Sequence, residues 1–115
     1  MERDLFYITK ETHAVLVHVT TNLYMSEVRT LELFLKKEGV GVGRETVVFN
    51  LEEVEQMDSS GLGFLISFHK ALKKRGGKLR VVVSSEEIRR LLELTGSDTI
   101  LEIYTTIDTA KEDLR

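Results

Sequence analysis

Val47-Val48-Phe49-Asn50-Leu51, followed by Glu52-Glu53-Val54-Glu55-Gln56 and then Met57-Asp58-Ser59-Ser60-Gly61-Leu62-Gly63, decides how this chain folds. The first five residues are an apolar, β-branched run broken only by Asn50, the pattern of a strand. Asp58, Ser59 and Ser60 are helix-capping types, and the apolar residues that recur after them predict a helix over about 60–74. Gly76-Gly77 stops it. A strand that feeds a helix through a polar turn is half of a β-α-β unit, and open α/β sheets bind their ligands at that strand end.

Working outward, the same alternation continues in both directions. Downstream, Leu79-Arg80-Val81-Val82-Val83 reads as a strand, and Ser84-Ser85-Glu86-Glu87 as the capped start of a helix that runs to about Leu94 and ends at Gly96. Ile100 to Tyr104 is a short strand, and Thr106 to Leu114 a last helix. Upstream, residues 5–9 and 14–19 are β-branched and aromatic runs split by Lys10-Glu11-Thr12-His13, a hairpin. Val28, Leu31 and Leu35 keep a helical period over 26–38, with Ser26 as the expected N-cap and Gly39 as the stop. The order is ββαβαβαβα, which predicts a single α/β domain over 1–115. It should hold a mainly parallel sheet of four to five strands and about four helices, joined by right-handed crossovers.

Composition narrows the function. The chain has 115 residues, 42% hydrophobic and 30% charged, which suits one domain with its own core. It contains no cysteine, so disulfides, thiolate metal sites and cysteine nucleophiles are excluded. His13, His18 and His69 stand at no metal-ligand spacing, and neither a metal nor a cofactor is expected. Sixteen basic residues against 19 acidic ones give a net charge of −3, which argues against a nucleic-acid partner. No apolar run approaches the ~20 residues of a membrane span, and Met1-Glu2-Arg3-Asp4 does not open a signal peptide, so the expected location is the cytoplasm. Gly39-Val40-Gly41-Val42-Gly43 resembles a phosphate loop only in composition. It follows a helix and leads into a strand, lacks Gly-Lys-Ser/Thr, and reads as a flexible connection.

The candidate site is therefore the turn at Asp58-Ser59-Ser60. On local chemistry alone, Asp58 or Ser59 is a cap and Gly61 allows close packing. Two hydroxyls at a helix N-terminus also meet unpaired N–H groups and a positive macrodipole end that favour an added anion. No histidine or lysine lies nearby in sequence to activate either serine, and the Gly-x-Ser-x-Gly elbow of hydrolases is absent. A serine used here would receive a phosphoryl group rather than attack a substrate, and the chain itself is not expected to be an enzyme.

At this point the chain resembles a known family. The Asn50-Leu51 strand end, Met57-Asp58-Ser59-Ser60-Gly61-Leu62-Gly63, Lys73-Lys74-Arg75-Gly76-Gly77-Lys78-Leu79 and Leu91-Leu92-Glu93-Leu94-Thr95-Gly96 are similar to STAS domains, above all to bacterial anti-sigma-factor antagonists. The resemblance runs from about Ala14 to Ala110. It implies β-α units wound as a superhelix with the helices largely on one side of the sheet. It also implies that an anti-sigma factor with serine kinase activity phosphorylates Ser59. The unphosphorylated form would bind that kinase and free the sigma factor; phosphorylation would switch binding off. Asp58, Ser59, Ser60, Gly61, Leu62, Phe64 and Tyr24 are the residues expected to meet the partner. Family members commonly carry Gly-x-Leu-Asp after the second strand, whereas this chain reads Thr21-Asn22-Leu23-Tyr24, with Tyr24 in place of the acid. The alternative within the same family is a scaffold subunit of a stress-signalling complex or a transporter, without sigma control.

Several other features invite plainer readings. The apolar arc of the 60–74 helix, widened by Phe64, Phe68 and Ala71, is wider than a one-sided helix needs, so neighbouring helices cover it or it forms a patch beside Ser59. His69 reads as a packed or rim histidine. Lys70, Lys73, Lys74 and Arg75 read as a solvated helix end, and Glu52, Glu53 and Glu55 as a loop charge cluster.

Overall fold

The structure, a computed structural model, describes residues 4–114. Strand β1 (Phe6–Lys10) pairs antiparallel with β2 (Val15–Val19), and α1 (Met25–Glu38) follows. Next come β3 (Thr46–Leu51), α2 (Ser59–Lys74), β4 (Lys78–Val83), α3 (Glu86–Leu94), β5 (Glu102–Tyr104) and α4 (Ile107–Lys111). Short 3-10 turns occupy Ser97–Thr99 and Glu112–Leu114. The sheet order is β1-β2-β3-β4-β5, with every pair after the hairpin parallel. Because each strand lies beside the one before it, the chain advances in one direction. Right-handed crossovers of that kind stack α1, α2 and α3 on a single face.

That face carries the main core. Val17, Val47, Phe49, Leu51, Leu79, Val81 and Val83 from the strands meet Leu31 and Leu35 of α1, Leu65 and Leu72 of α2, and Ile88 and Leu92 of α3. The opposite face has a smaller cluster, in which Ala14, Leu16, Val48 and Val82 meet Ala110. The helices thus lie largely on one side, as expected, with one exception. α4 lies across this second face, leaving three helices on one side and one on the other.

Four expectations are corrected. Ser26 is not the cap of α1; Tyr24 is the N-cap residue and Ser26 already lies inside the helix. The helix opens earlier because Glu27 reaches back to the Tyr24 amide (3.3 Å), which closes half of a capping box without a hydroxyl. β5 is shorter than expected, since Ser97–Thr99 folds as a 3-10 turn and delays it to Glu102. The last helix is α4 followed by a 3-10 turn rather than one continuous helix. Finally, the glycine-rich connection is pinned. Gly39 closes α1 at φ 68°, Glu45 accepts the Gly41 N–H (2.6 Å), and Arg75 Nη1 donates to the Gly41 carbonyl (2.9 Å). Its Gly41 amide is thus engaged by the chain's own carboxylate.

Candidate functional site

Two loops meet at the carboxyl end of the sheet, 20–24 after β2 and 52–58 after β3, and they are stitched together by main-chain and amide contacts. The Leu23 amide donates to the Gln56 carbonyl (3.1 Å) and the Asp58 amide to the Leu23 carbonyl (3.2 Å), a short parallel bridge outside the sheet. Asn22 Oδ1 accepts from the amides of both Glu55 (3.0 Å) and Gln56 (3.1 Å). The Tyr24 hydroxyl donates to Gln56 Oε1. These bonds satisfy backbone groups that have no sheet partner, and so fix the path of the chain into α2.

At the end of that path stands Asp58, the N-cap of α2. Its Oδ1 accepts from Ser60 (2.9 Å) and Gly61 (3.2 Å), while Oδ2 accepts from the amide of Met25 at the start of α1 (3.2 Å). One carboxylate therefore closes the N-termini of two helices, and both positive helix ends face it. The cap is Asp58, not Ser59. Gly61 makes the approach possible: a Cβ there would stand 2.7 Å from the Leu23 carbonyl oxygen.

Ser59 is thereby left exposed as the first residue of α2, and its hydroxyl bonds to no other described residue. Ser60 is half-buried and lines an open groove between α1 and α2 together with Val28, Glu32, Gly63, Phe64 and Phe68. Tyr24 and Met25 (39% and 56% exposed) form an apolar pair at the start of α1, on the strand-end side where Asp58 sits. The structure thus gathers Tyr24, Asp58, Ser59, Ser60 and Gly61. Leu62 lies on the core side of α2, half-buried against the main cluster. Phe64 packs edge-on to Phe49 (5.7 Å between centroids) and beside Phe68 (5.7 Å). The wide apolar arc of α2 is accordingly shared. Phe64 and Phe68 are half-covered by α1 and the glycine loop, and Leu33 and Val42 stay exposed on the groove's rim.

The remaining candidates fall elsewhere. His69 is half-buried against α2's own surroundings, and its Nδ1 bonds to none of the described residues. Lys70, Lys73 and Lys74 are exposed, but Arg75 is occupied by the Gly41 carbonyl. No group of three or more potential metal ligands occurs among the described residues, and no described helix is long and apolar enough to cross a membrane.

Sequence reasoning missed two elements of this site. Asn22 was visible only as a polar residue in a loop; a side-chain amide that accepts two backbone N–H groups 33 and 34 residues away leaves no local signal. The second role of Asp58 was hidden for the same reason, because its Met25 partner comes from another β-α unit.

Comparison with known proteins places this geometry in context. An anti-sigma-B factor antagonist of Listeria monocytogenes is 37% identical over 73 residues, 64% of this chain and 60% of that one. The crystal structure of an anti-sigma factor antagonist from Mycobacterium paratuberculosis superposes with a TM-score of 0.82 at 27% identity, covering 94% of this chain and 91% of the other. The Bacillus cell fate determinant SpoIIAA in its phosphorylated form shares the fold, with a TM-score of 0.71 at 20% identity over 96% and 99% of the two chains. The family model of the STAS domain matches residues 7–110, nearly the whole described fold from β1 to α4. The hairpin and the parallel β-α units are those of a STAS domain, and the chain belongs to that family.

Proposed function

We propose that this protein is an anti-sigma factor antagonist, a non-enzymatic switch that binds an anti-sigma factor with serine kinase activity and is released when Ser59 is phosphorylated. The observation that carries the reading is the division of labour at the turn. Asp58 takes the N–H groups of the helix start, so the neighbouring Ser59 hydroxyl is exposed and uncommitted at a helix end that tolerates an anion. The names of the antagonists similar to this chain agree with it.

In this reading the partner brings the nucleotide. Ser59 Oγ attacks the γ-phosphorus of ATP held by the partner, the bond to the β–γ bridging oxygen breaks, ADP leaves, and the hydroxyl proton passes to a base on the partner. The product carries about −1.5 to −2 charges at the centre of the contact surface. Asp58 is adjacent, and Glu52, Glu53 and Glu55 lie in the preceding loop, so the added charge meets like charge as well as desolvation. Each ~1.4 kcal/mol of that penalty weakens binding tenfold. Tyr24 and Met25 offer the partner an apolar contact where relatives commonly offer an acid.

The test uses the cognate kinase-type anti-sigma factor. Ser59→Ala should bind it as the native chain does, keep its melting temperature, and no longer gain one phosphate (~80 Da) by mass spectrometry. Ser59→Glu should stay folded and bind more weakly. Phosphate that appears on Ser60 in Ser59→Ala would move the switch to the other serine. A native chain that binds no anti-sigma factor would overturn the reading.

A further inference from the structure

The sheet face opposite α1, α2 and α3 holds a polar row that the switch does not use. His18 of β2 lies between β1 and β3, paired with Tyr7 on one side and Asn50 on the other. The Tyr7 ring stacks on the imidazole, with centroids 4.3 Å apart and planes 9° from parallel. Both ring nitrogens are engaged, Nε2 with Thr9 Oγ1 (2.9 Å) and Nδ1 with Asn50 Nδ2 (2.9 Å). Asn50 in turn uses Oδ1 to accept the Glu52 amide (3.1 Å), the first bond of the loop that leads to Ser59.

These contacts fix the ring's protonation. Because Asn50 Oδ1 is committed to an N–H donor, its NH2 group must face His18, and an NH2 group only donates. Nδ1 therefore presents a lone pair, and the single ring proton sits on Nε2, pointing at Thr9. A second proton on Nδ1 would set N–H against NH2. Turning the Asn50 amide over relieves that clash only by aiming NH2 at the Glu52 N–H. Either way, Asn50 loses one of its two bonds, the one to His18 or the one to the Glu52 amide that ties the end of β3 to the following turn.

We propose that His18 is a proton-responsive positioning residue: the neutral ring holds Asn50 so that Asn50 anchors the Glu52 amide, and acidification releases the start of the loop that leads to Ser59. The proposal stands apart from the phosphorylation switch and holds whichever partner the protein binds. The surroundings act in two directions. Burial pushes the His18 pKa below its ordinary 6.5, while the carboxylates of Glu52, Glu11 and Glu53 pull it back up, and burial prevails. The sign of the linkage follows. Below about pH 6.5 the unfolded chain binds this proton more readily than the folded one, so the His18 contribution to stability is complete above 6.5 and is lost as pH falls toward the folded value.

Nuclear magnetic resonance on the full chain between pH 5 and 8 tests this directly. The His18 ring should carry its proton on Nε2, titrate below 6.5, and move the Glu52 amide with the same midpoint. Exchange protection of the Glu52 amide should drop by about fivefold across that midpoint, the worth of one ordinary hydrogen bond. His18→Asn places a non-titrating acceptor near the Nδ1 position, and should keep the Glu52 amide protected while abolishing its pH response in this range. A ring proton on Nδ1, a midpoint at or above 6.5, a Glu52 amide that ignores the His18 titration, or an unchanged response in His18→Asn would each overturn the proposal. Should the variant fail to fold, the native titration decides alone.

Discussion

Asp58 and Arg80 are polar anchors of opposite charge, placed on opposite sides of the sheet, and they hold the fold by different means. Asp58 is half-buried and collects three backbone N–H groups from the starts of α1 and α2. Arg80 is 2% exposed at the middle of β4, donates to the Ala110 carbonyl (2.8 Å) and twice to Asp113 (2.6 and 2.9 Å), and faces Glu102 Oε1 at 3.5 Å. The Tyr104 ring lies 5.7 Å from its guanidinium carbon. Asp58 therefore leaves a reactive-sized surface open beside it, whereas Arg80 closes one, strapping the C-terminal segment over the second face. The difference teaches how a cap and a strap differ: Asp58 satisfies backbone groups and leaves its neighbour Ser59 exposed, whereas Arg80 is sealed beneath the segment it holds.

The largest effect should come from breaking the sealed anchor. Arg80→Ala removes a buried cation and the donor to a buried carbonyl, and leaves a gap under α4, so it should cost about 3 kcal/mol in chemical denaturation. It should loosen residues 107–114 while leaving association with a partner at Ser59 unaltered once the chain is folded. The ion pair also sets an acid limit. The hydrogen bond from Arg80 holds the Asp113 carboxyl below its ordinary 3.8, so its contribution is complete above that value and is lost as pH falls through the folded one. Acid titration of Arg80→Ala should show this step missing.

Next in size is Gly61→Ala. The added methyl would stand 2.7 Å from the Leu23 carbonyl oxygen and 3.1 Å from Met57 Cβ, so the two stitched loops must part. A loss of about 2 kcal/mol follows from that overpacking, read as a lower denaturation midpoint. An unchanged midpoint would show that the loops yield freely and that Asp58 does not need their close approach.

How far each region was legible in the sequence follows the same division. Strand and helix order, a cap at Asp58 or Ser59 and the need for a small residue at Gly61 were readable, because caps and periodicity act within a few residues. Arg80 was read as an ordinary member of Leu79-Arg80-Val81-Val82-Val83, since nothing local says that its partners lie 30 and 33 residues on, in α4 and the following turn. The placement of α4 on the second face was lost with it: a five-residue helix with one fully buried residue, Ala110, has too little pattern to declare a side. Tyr24 as N-cap escaped notice because tyrosine is not a capping type, and the work falls to Glu27 and to Asp58 from across the loop.

Asp58 itself allows a graded test. Asp58→Ala strips acceptors from both helices and should cost about 1–2 kcal/mol. Asp58→Asn keeps an oxygen for Ser60 and Gly61 but turns an NH2 group toward the Met25 amide, so it should lose less and lose it at α1. Amide exchange would show Met25 less protected in Asp58→Asn while Ser60 and Gly61 hold. Equal loss at both helix starts would mean that the two caps are not separable.

The smallest effect on folding is expected at Tyr24, and it bears most directly on the open anchor. Tyr24→Phe removes only the hydroxyl that donates to Gln56 Oε1, an exposed bond, and should shift stability by less than about 0.5 kcal/mol. Tyr24→Asp places at this position the acid that the family resemblance leads one to expect. Three terms of similar size then compete: a carboxylate at an N-cap favours α1, its repulsion by the nearby Asp58 opposes it, and the Gln56 contact is gone. Their sum should again stay within about 0.5 kcal/mol, while affinity for the native partner changes, because an exposed apolar ring has become a charge. Melts and binding isotherms for the two variants separate the roles. If Tyr24→Asp unfolds the chain in proportion to its loss of binding, Tyr24 belongs with Arg80 as a structural anchor; if binding alone moves, the open side of Asp58 is where this protein selects its partner.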